Sequence, residues 1–156
     1  MCGLVWAEAR QSEQLVPQAL KRLQYRGYDS FGFACLLDAG IESYKSLSDL
    51  REFDESLPTS KMVLGHTRWA THGGVSIENC HLHTDDQRRF ALAHNGIVEN
   101  VRELAGDSKD LGSDSIVLAQ SLSRKLDQGK DQVFAFTELV CQIEGRNSLL
   151  IMFADG

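Results

Sequence analysis

A cysteine stands directly behind the initiator methionine, in Met1-Cys2-Gly3. Removal of Met1 would leave a thiol and a free α-amine on one residue, a nucleophile beside its own base. An α-amine titrates at roughly 7.7–8.0, so at neutral pH part of it can take the thiol's proton, directly or through one water. The other reading of Cys2 is a small apolar residue that starts a buried strand. Acyl transfer at Cys2 would also need donors for an oxyanion. His94-Asn95-Gly96 offers a side-chain amide at Asn95 and an unshielded backbone N–H at Gly96. A type I′ turn is the competing account of Asn-Gly, but a helical pattern, not a second alternating strand, follows it. An amino-acid amide substrate further requires a carboxylate clamp and a partner for its ammonium. Arg68 brings a planar bidentate fork. Asp114 brings a carboxylate at a helix start, a place the helix dipole alone also favours.

Two other chemistries draw on the same residue types. His66, His72, Cys80, His81 and His83 are candidate metal ligands, yet no pair has structural-zinc spacing and no acid stands in a ligand motif with them. Cys80 or Cys141 is a candidate for an internal cysteine–histidine hydrolase. Nothing local marks either as reactive, and Cys141 falls on the apolar side of a helix as a core thiol. No metal and no cofactor is called for.

The elements that must position these groups read as one domain over residues 1–156, long enough to bury a core. The chain is 42% hydrophobic and 24% charged, with 13 Gly and 2 Pro, as in ordinary globular proteins. A net charge of −6 without a basic run argues against a nucleic-acid or anionic-membrane partner. No apolar run spans a membrane and no signal-peptide pattern opens the chain. The four cysteines are scattered without a C-x-x-C pair, which suits reduced thiols in a cytoplasmic protein.

Cys2 to Ala7 reads as a strand, and Ser12 to Tyr25 as a helix whose Pro17 is tolerable only in a first turn, with Gly27 as its stop. Ser30–Leu37 and Ile41–Leu47 form a hairpin about Asp38-Ala39-Gly40. A short helix is expected around Ser48–Leu57 and a strand over Met62–Gly65. The polar run 65–74 is then a loop, and 75–89 stays irregular. Phe90–Ala93 is a strand and Val98–Leu104 a short helix before Gly106. A longer helix covers Ser113–Leu126, capped by Ser113, with Ile116, Ala119, Leu122 and Leu126 inward. Gln132–Ile143 is the last helix, and Ser148–Ala154 is a buried strand, apolar on both faces.

Five motifs occur in one order: C-G-L-V from Cys2, Y-R-G-Y-D-S at 25–30, H-T-R-W-A-T-H-G at 66–73, H-N-G at 94–96 and S-D-S at 113–115. Together they resemble the glutaminase domain of the class II, N-terminal-nucleophile glutamine amidotransferases, most of all its sugar-phosphate branch. The resemblance implies an α+β fold, a four-layer αββα sandwich of two antiparallel sheets. It implies Cys2 as nucleophile with its freed amine as base, Asn95 and Gly96 as oxyanion hole, and Arg26 beside the nucleophile. Arg68 would bind the α-carboxylate of glutamine and Asp114 its α-ammonium. Thr71 and His72 would add contacts from a lid loop, and Trp69 would belong to the loop that gates ammonia.

The sequence departs from the family at Trp6 and Phe31, where small residues are usual, at Cys80 and Leu82 in N-C-H-L-H, and at Val75 in place of a loop proline. These exchanges bear on lid closure and channel shape rather than on the chemistry of Cys2. Against the family pattern the glutaminase domain is expected to be shortened at its C-terminus, with the synthase/isomerase domain that receives ammonia absent. An apolar face left open in this way predicts self-association or a partner that supplies strands. The expected activity is glutamine hydrolysis through a Cys2 thioester, giving glutamate and ammonia. The alternative is an inactive relative or fragment that binds glutamine or a partner without turnover.

Overall fold

The computed structural model of the chain describes residues 2–53, 56–70, 74–106 and 112–155. Two antiparallel sheets lie face to face. The first contains β1 (Gly3–Glu8), β2 (Ser30–Leu37), β3 (Gly40–Ser46) and β4 (Met62–Arg68), in the order β1-β4-β2-β3. The second contains β5 (His83–Thr84), β6 (Phe90–Gly96) and β7 (Asn147–Phe153), in sequential order. Helix α1 (Ser12–Arg22) covers the outer face of the first sheet. Helices α2 (Val101–Ala105), α3 (Asp114–Asp127) and α4 (Gln132–Gln142) cover that of the second.

The layers follow from the period-2 alternation of the strands. On β2, Phe31, Phe33 and Cys35 point outward with Val63 of β4 against Val16 and Leu20 of α1. The alternate residues Ala34 and Leu64 point inward and meet Ala91, Ala93 and Met152 of the second sheet. The other face of β6, Phe90 and Leu92, packs on Val117, Leu118 and Leu122 of α3 and on Ala135 and Leu139 of α4. Three apolar layers separate four layers of secondary structure, the αββα order expected.

Several boundaries differ from the sequence reading, each for a physical reason. Strand β4 runs through His66 and Thr67 to Arg68 instead of stopping at Gly65, because those polar residues continue its ladder with β1 and β2. Strand β6 likewise continues through Asn95 and Gly96, which pair with Ser148 and Asn147, so Asn-Gly is strand here and not a turn. Helix α1 ends at Arg22, with a 3-10 turn over Gln24–Arg26, and it holds Pro17 in its second turn. Among the described residues the expected Ser48–Leu57 helix reduces to a 3-10 turn, Leu50–Glu52, capped by the Asp49 carboxylate, with residues 54 and 55 outside the described residues. On α3 the fully buried stripe is Val117, Leu118 and Leu122, with Ile116 and Leu126 only partly covered. Cys141 is exposed, not a core thiol.

Strand β7 is the largest departure. Among the described residues it forms an edge paired only with β6, and Met152 is its one fully buried residue. Its apolar composition anticipated cover on both faces; what the edge receives is partial burial of Leu149, Leu150, Ile151 and Phe153. On the neighbouring helix, Val133 is 70% and Phe134 60% exposed. Among the described residues no helix is long and apolar enough to cross a membrane.

Candidate active site

Alternation decides which side chains reach the space between the sheets. On β4 the inward set that begins with Leu64 continues through His66 to Arg68, while Thr67 turns the other way. On β6 the inward Ala91 and Ala93 lead to Asn95, while His94 turns toward α3. The start of β1, the ends of β4 and β6, and the N-terminus of α3 therefore converge at one end of the inter-sheet layer. A cavity of about 440 Å³ opens there, and its lining includes Cys2, Arg68, Trp69, Asn95, Gly96 and Asp114. Five residues expected from scattered motifs, and Trp69 beside them, are thus brought together.

Cys2 is held by its backbone. Its N–H donates to Asn95 Oδ1 at 3.3 Å, and Asn95 Nδ2 donates to the Cys2 carbonyl at 3.4 Å. The next residue is tied as well, with Gly3 N–H donating to Thr67 Oγ1 at 3.1 Å. Burial pushes the Cys2 thiol above its ordinary pKa; a backbone N–H from Trp69 and the charge of Arg68 pull it back, and the Asp114 carboxylate adds to the rise. A thiol in this setting requires a base beside it to become a nucleophile.

Arg68 is 4% exposed, and its Nη1 donates to the Gly74 carbonyl at 3.1 Å, a carbonyl that also accepts from Asn79 Nδ2. The guanidinium thus sits against the Gly74 peptide. Thr71 and His72 lie outside the described residues, as does Met1. Asp114 is the first residue of α3, behind the Ser113 cap that accepts from Ile116 N–H. Its carboxylate accepts from the backbone of Ser115 at 2.8 Å and of Val98 at 3.3 Å. Arg26 ends the 3-10 turn with its guanidinium 5.2 Å from the centre of the Tyr25 ring, and it is not among the residues that line this cavity.

The Y-R-G-Y-D-S segment has a task that the sequence reading did not assign. Gly27 is extended, with φ −174, so it is not needed for a helix stop. A Cβ on it would lie 2.6 Å from the Arg68 carbonyl carbon and 2.9 Å from Trp69 N. Only glycine lets this segment press on the end of β4. Asp29 then fixes the same peptides: its N–H donates to Arg68 O at 3.1 Å, and its carboxylate accepts from Ala70 N–H at 2.7 Å. The Tyr28 ring lies 5.7 Å from that of Trp69. A charged residue two places past a buried glycine was the available signal. Gly96 is glycine for a similar reason, since a Cβ there would lie 2.4 Å from the Arg146 carbonyl oxygen.

The other histidines form a buried row. The rings of His66 and His81 stack at 4.0 Å, and His81 meets His83 edge-on at 4.5 Å. His66 Nε2 lies 3.3 Å from the His94 carbonyl and bridges the two sheets. No group of three or more His, Cys, Asp or Glu among the described residues is arranged to hold a metal ion. Cys80 is fully buried, its thiol 3.1 Å from the Phe31 carbonyl.

No protein-family model matches the chain. It is 39% identical over 168 residues to the glutamine–fructose-6-phosphate aminotransferase [isomerizing] of Streptomyces coelicolor, an alignment covering 99% of this chain and 27% of that protein. Proteins of the same name from Tropheryma whipplei and Staphylococcus aureus are 38% and 35% identical, again along 99% of this chain. The chain spans 27% to 28% of the length of these relatives. Two solved structures share its fold. The allosteric regulatory enzyme of purine biosynthesis superposes with a TM-score of 0.82 at 24% identity, over 99% of this chain and 36% of that one. Glutamine phosphoribosylpyrophosphate amidotransferase from B. subtilis does so with 0.79 at 22% identity, over 99% and 35%. Along nearly its whole length, then, the chain is similar to about a quarter of these glutamine–fructose-6-phosphate aminotransferases, and it shares the fold of both solved structures.

Proposed function

We propose that the chain, once Met1 is removed, hydrolyses the side-chain amide of glutamine through a thioester on Cys2. The observation that carries this reading is the reciprocal pairing of the Cys2 backbone with the Asn95 amide, beside a cavity that Arg68 and Asp114 also line. With Met1 gone, the N–H that now donates to Asn95 Oδ1 becomes an amine, held by that oxygen beside its own thiol. The amine takes the thiol proton, and Sγ attacks the amide carbon. The second Nδ2 hydrogen of Asn95 and the N–H of Gly96 receive the oxyanion. The amine passes its proton to the leaving nitrogen, the C–N bond breaks and ammonia departs. A water then gives a proton to the amine and attacks the thioester. Collapse expels the thiolate, which takes the proton back, and glutamate leaves as its carboxylate with one proton released. Glutamate release from glutamine alone by the Met1-free chain, with a glutamyl adduct on the N-terminal peptide by mass spectrometry, tests this. Glutamine binding with neither product would leave a non-catalytic glutamine-binding domain.

In this reading Arg68 grips the α-carboxylate and Asp114 the α-ammonium, while Trp69, Thr71 and His72 belong to the loop that closes over them and Arg26 supports from the 25–30 segment. Arg68→Lys and Asp114→Asn are each expected to raise KM for glutamine about 10- to 100-fold with kcat little changed, since each loses a charge-assisted bond to the bound substrate. Unaltered KM with a fallen kcat would assign these residues to catalytic geometry instead.

The relatives' names make fructose 6-phosphate the acceptor to test first, on a synthase/isomerase domain or subunit that would receive the ammonia. The catalytic thiol suits the reducing cytoplasm. Two features support a partner or self-association: the open edge of β7, and the apolar face of α4 at Val133, Phe134 and Val140. The chain alone is expected to sediment as a dimer or larger species at micromolar concentration. A monodisperse monomer with a cooperative melt would show that the edge needs no cover.

A further inference from the structure

We propose that His94 is a positioning residue for the α-ammonium end of the substrate, acting through Ser115 on Asp114; the inference rests on the glutamine-hydrolase reading above. His94 is 2% exposed and belongs to the cavity's lining, with its ring turned toward α3. Its ring joins three elements. Nδ1 lies 2.9 Å from Ser115 Oγ in the first turn of α3, and Nε2 lies 2.8 Å from Asn147 Oδ1 at the start of β7. The backbone of His94 itself continues directly into Asn95 and Gly96.

The hydrogen-bond roles follow from Asn147. Its Nδ2 donates to the Glu144 carbonyl at 3.2 Å, which turns Oδ1 toward the imidazole and places a hydrogen on Nε2. In the neutral ring Nδ1 is then an acceptor, and the Ser115 hydroxyl proton points to it. That hydroxyl oxygen is also 3.3 Å from Asp114 Oδ1, and Nδ1 itself is 3.8 Å from the same oxygen. One hydroxyl therefore faces two acceptors. By holding the Ser115 proton, His94 leaves the Asp114 carboxylate with its backbone donors from Ser115 and Val98 and with free capacity toward the cavity. Without the imidazole the hydroxyl turns to Asp114 and occupies part of the carboxylate that an ammonium would use. The same bonds set the distance between Asp114 on α3 and the oxyanion donors on β6, so the ammonium end and the amide end of one substrate share a rigid support.

The test compares glutamine with 4-carbamoylbutanoate, which is glutamine without its α-amine, in the Met1-free chain. Ser115→Ala removes the joining hydroxyl with little change in volume, and His94→Gln keeps a polar side chain of similar reach. In both, kcat/KM for glutamine relative to the analogue is expected to fall about tenfold, chiefly through KM for glutamine. Adding either change to Asp114→Asn should give little further loss of that ratio, because all three act on one contact. Equal losses on both substrates, or an unchanged ratio in Ser115→Ala, would overturn the proposal. A Met1-free wild-type chain that hydrolyses neither compound would sink the hydrolase reading itself, a result distinct from either.

Discussion

Cys2→Ala in the Met1-free chain is expected to lower glutamine hydrolysis by at least about 10³-fold, because it removes the nucleophile while leaving the rest of the site in place. The substitution should leave the fold intact. The two bonds it makes with Asn95, to Oδ1 and from Nδ2, involve its backbone, and Gly3 remains tied to Thr67. The melting temperature should stay within about 3 °C of the parent, the range of a sub-kilocalorie change. Cys2→Ser should also be strongly impaired, since the hydroxyl is a far weaker acid than a thiol already pushed up by burial. The base is tested separately by comparing preparations with and without Met1. An acylated nitrogen cannot accept a proton, so the Met1-bearing form should turn over about 10²- to 10⁴-fold more slowly. Equal rates in the two preparations would assign the base to another group, and wild-type turnover by Cys2→Ala would move the nucleophile elsewhere.

Loss of stability on acidification, well before most carboxylates titrate, is the second large effect expected. Desolvation lowers the pKa of His66 and His83 from 6.5 to about 3, with the neighbouring charges of Lys45 and Arg68 acting the same way on His83, and burial also holds His81 well below its ordinary value. The sign follows from proton binding. Between about pH 6.5 and pH 3 the unfolded chain binds protons at these positions and the folded chain does not, so stability falls as pH falls. Each group contributes roughly 1.4 kcal/mol per pH unit, so His66 and His83 together remove about 5 kcal/mol by pH 4.5. That is comparable with the whole stability of an ordinary domain, about 5–15 kcal/mol. Four ring nitrogens of the row (His66 Nδ1, His81 Nδ1 and Nε2, His83 Nε2) have no hydrogen-bond partner among the described residues to stabilise a charged form. Denaturant melts at pH 7, 6 and 5 should show the fall, and His83→Leu should make it shallower by about one proton's worth. A stability curve flat from pH 7 to pH 5 would contradict this account.

The sequence by itself determined which candidate groups the chain offers and the order of the elements that carry them. Cys2 behind Met1, the Arg68 fork, Asn95-Gly96 and Asp114 behind the Ser113 cap are local statements, carried by residue type, and the structure gathers them at one cavity. The hairpin of β2 and β3 and the course of α3 and α4 were legible as well, because long apolar periods and capping residues act over a few positions. What the tertiary structure decided lies where polar side chains are buried. His66, Thr67 and Arg68 break no backbone pattern, but their polarity hides the period of β4; a neighbouring strand on each side supplies the hydrogen bonds that keep them extended. Asn95-Gly96 reads as a turn in isolation and is strand in the fold, because Ser148 and Asn147, more than fifty residues later, complete its ladder. The work of Gly27 and Asp29 on the end of β4, and the path from His94 through Ser115 to Asp114, depend on contacts between segments remote in the chain. A local pattern records the conformation a residue prefers; only the packed layers determine which distant backbone it will touch.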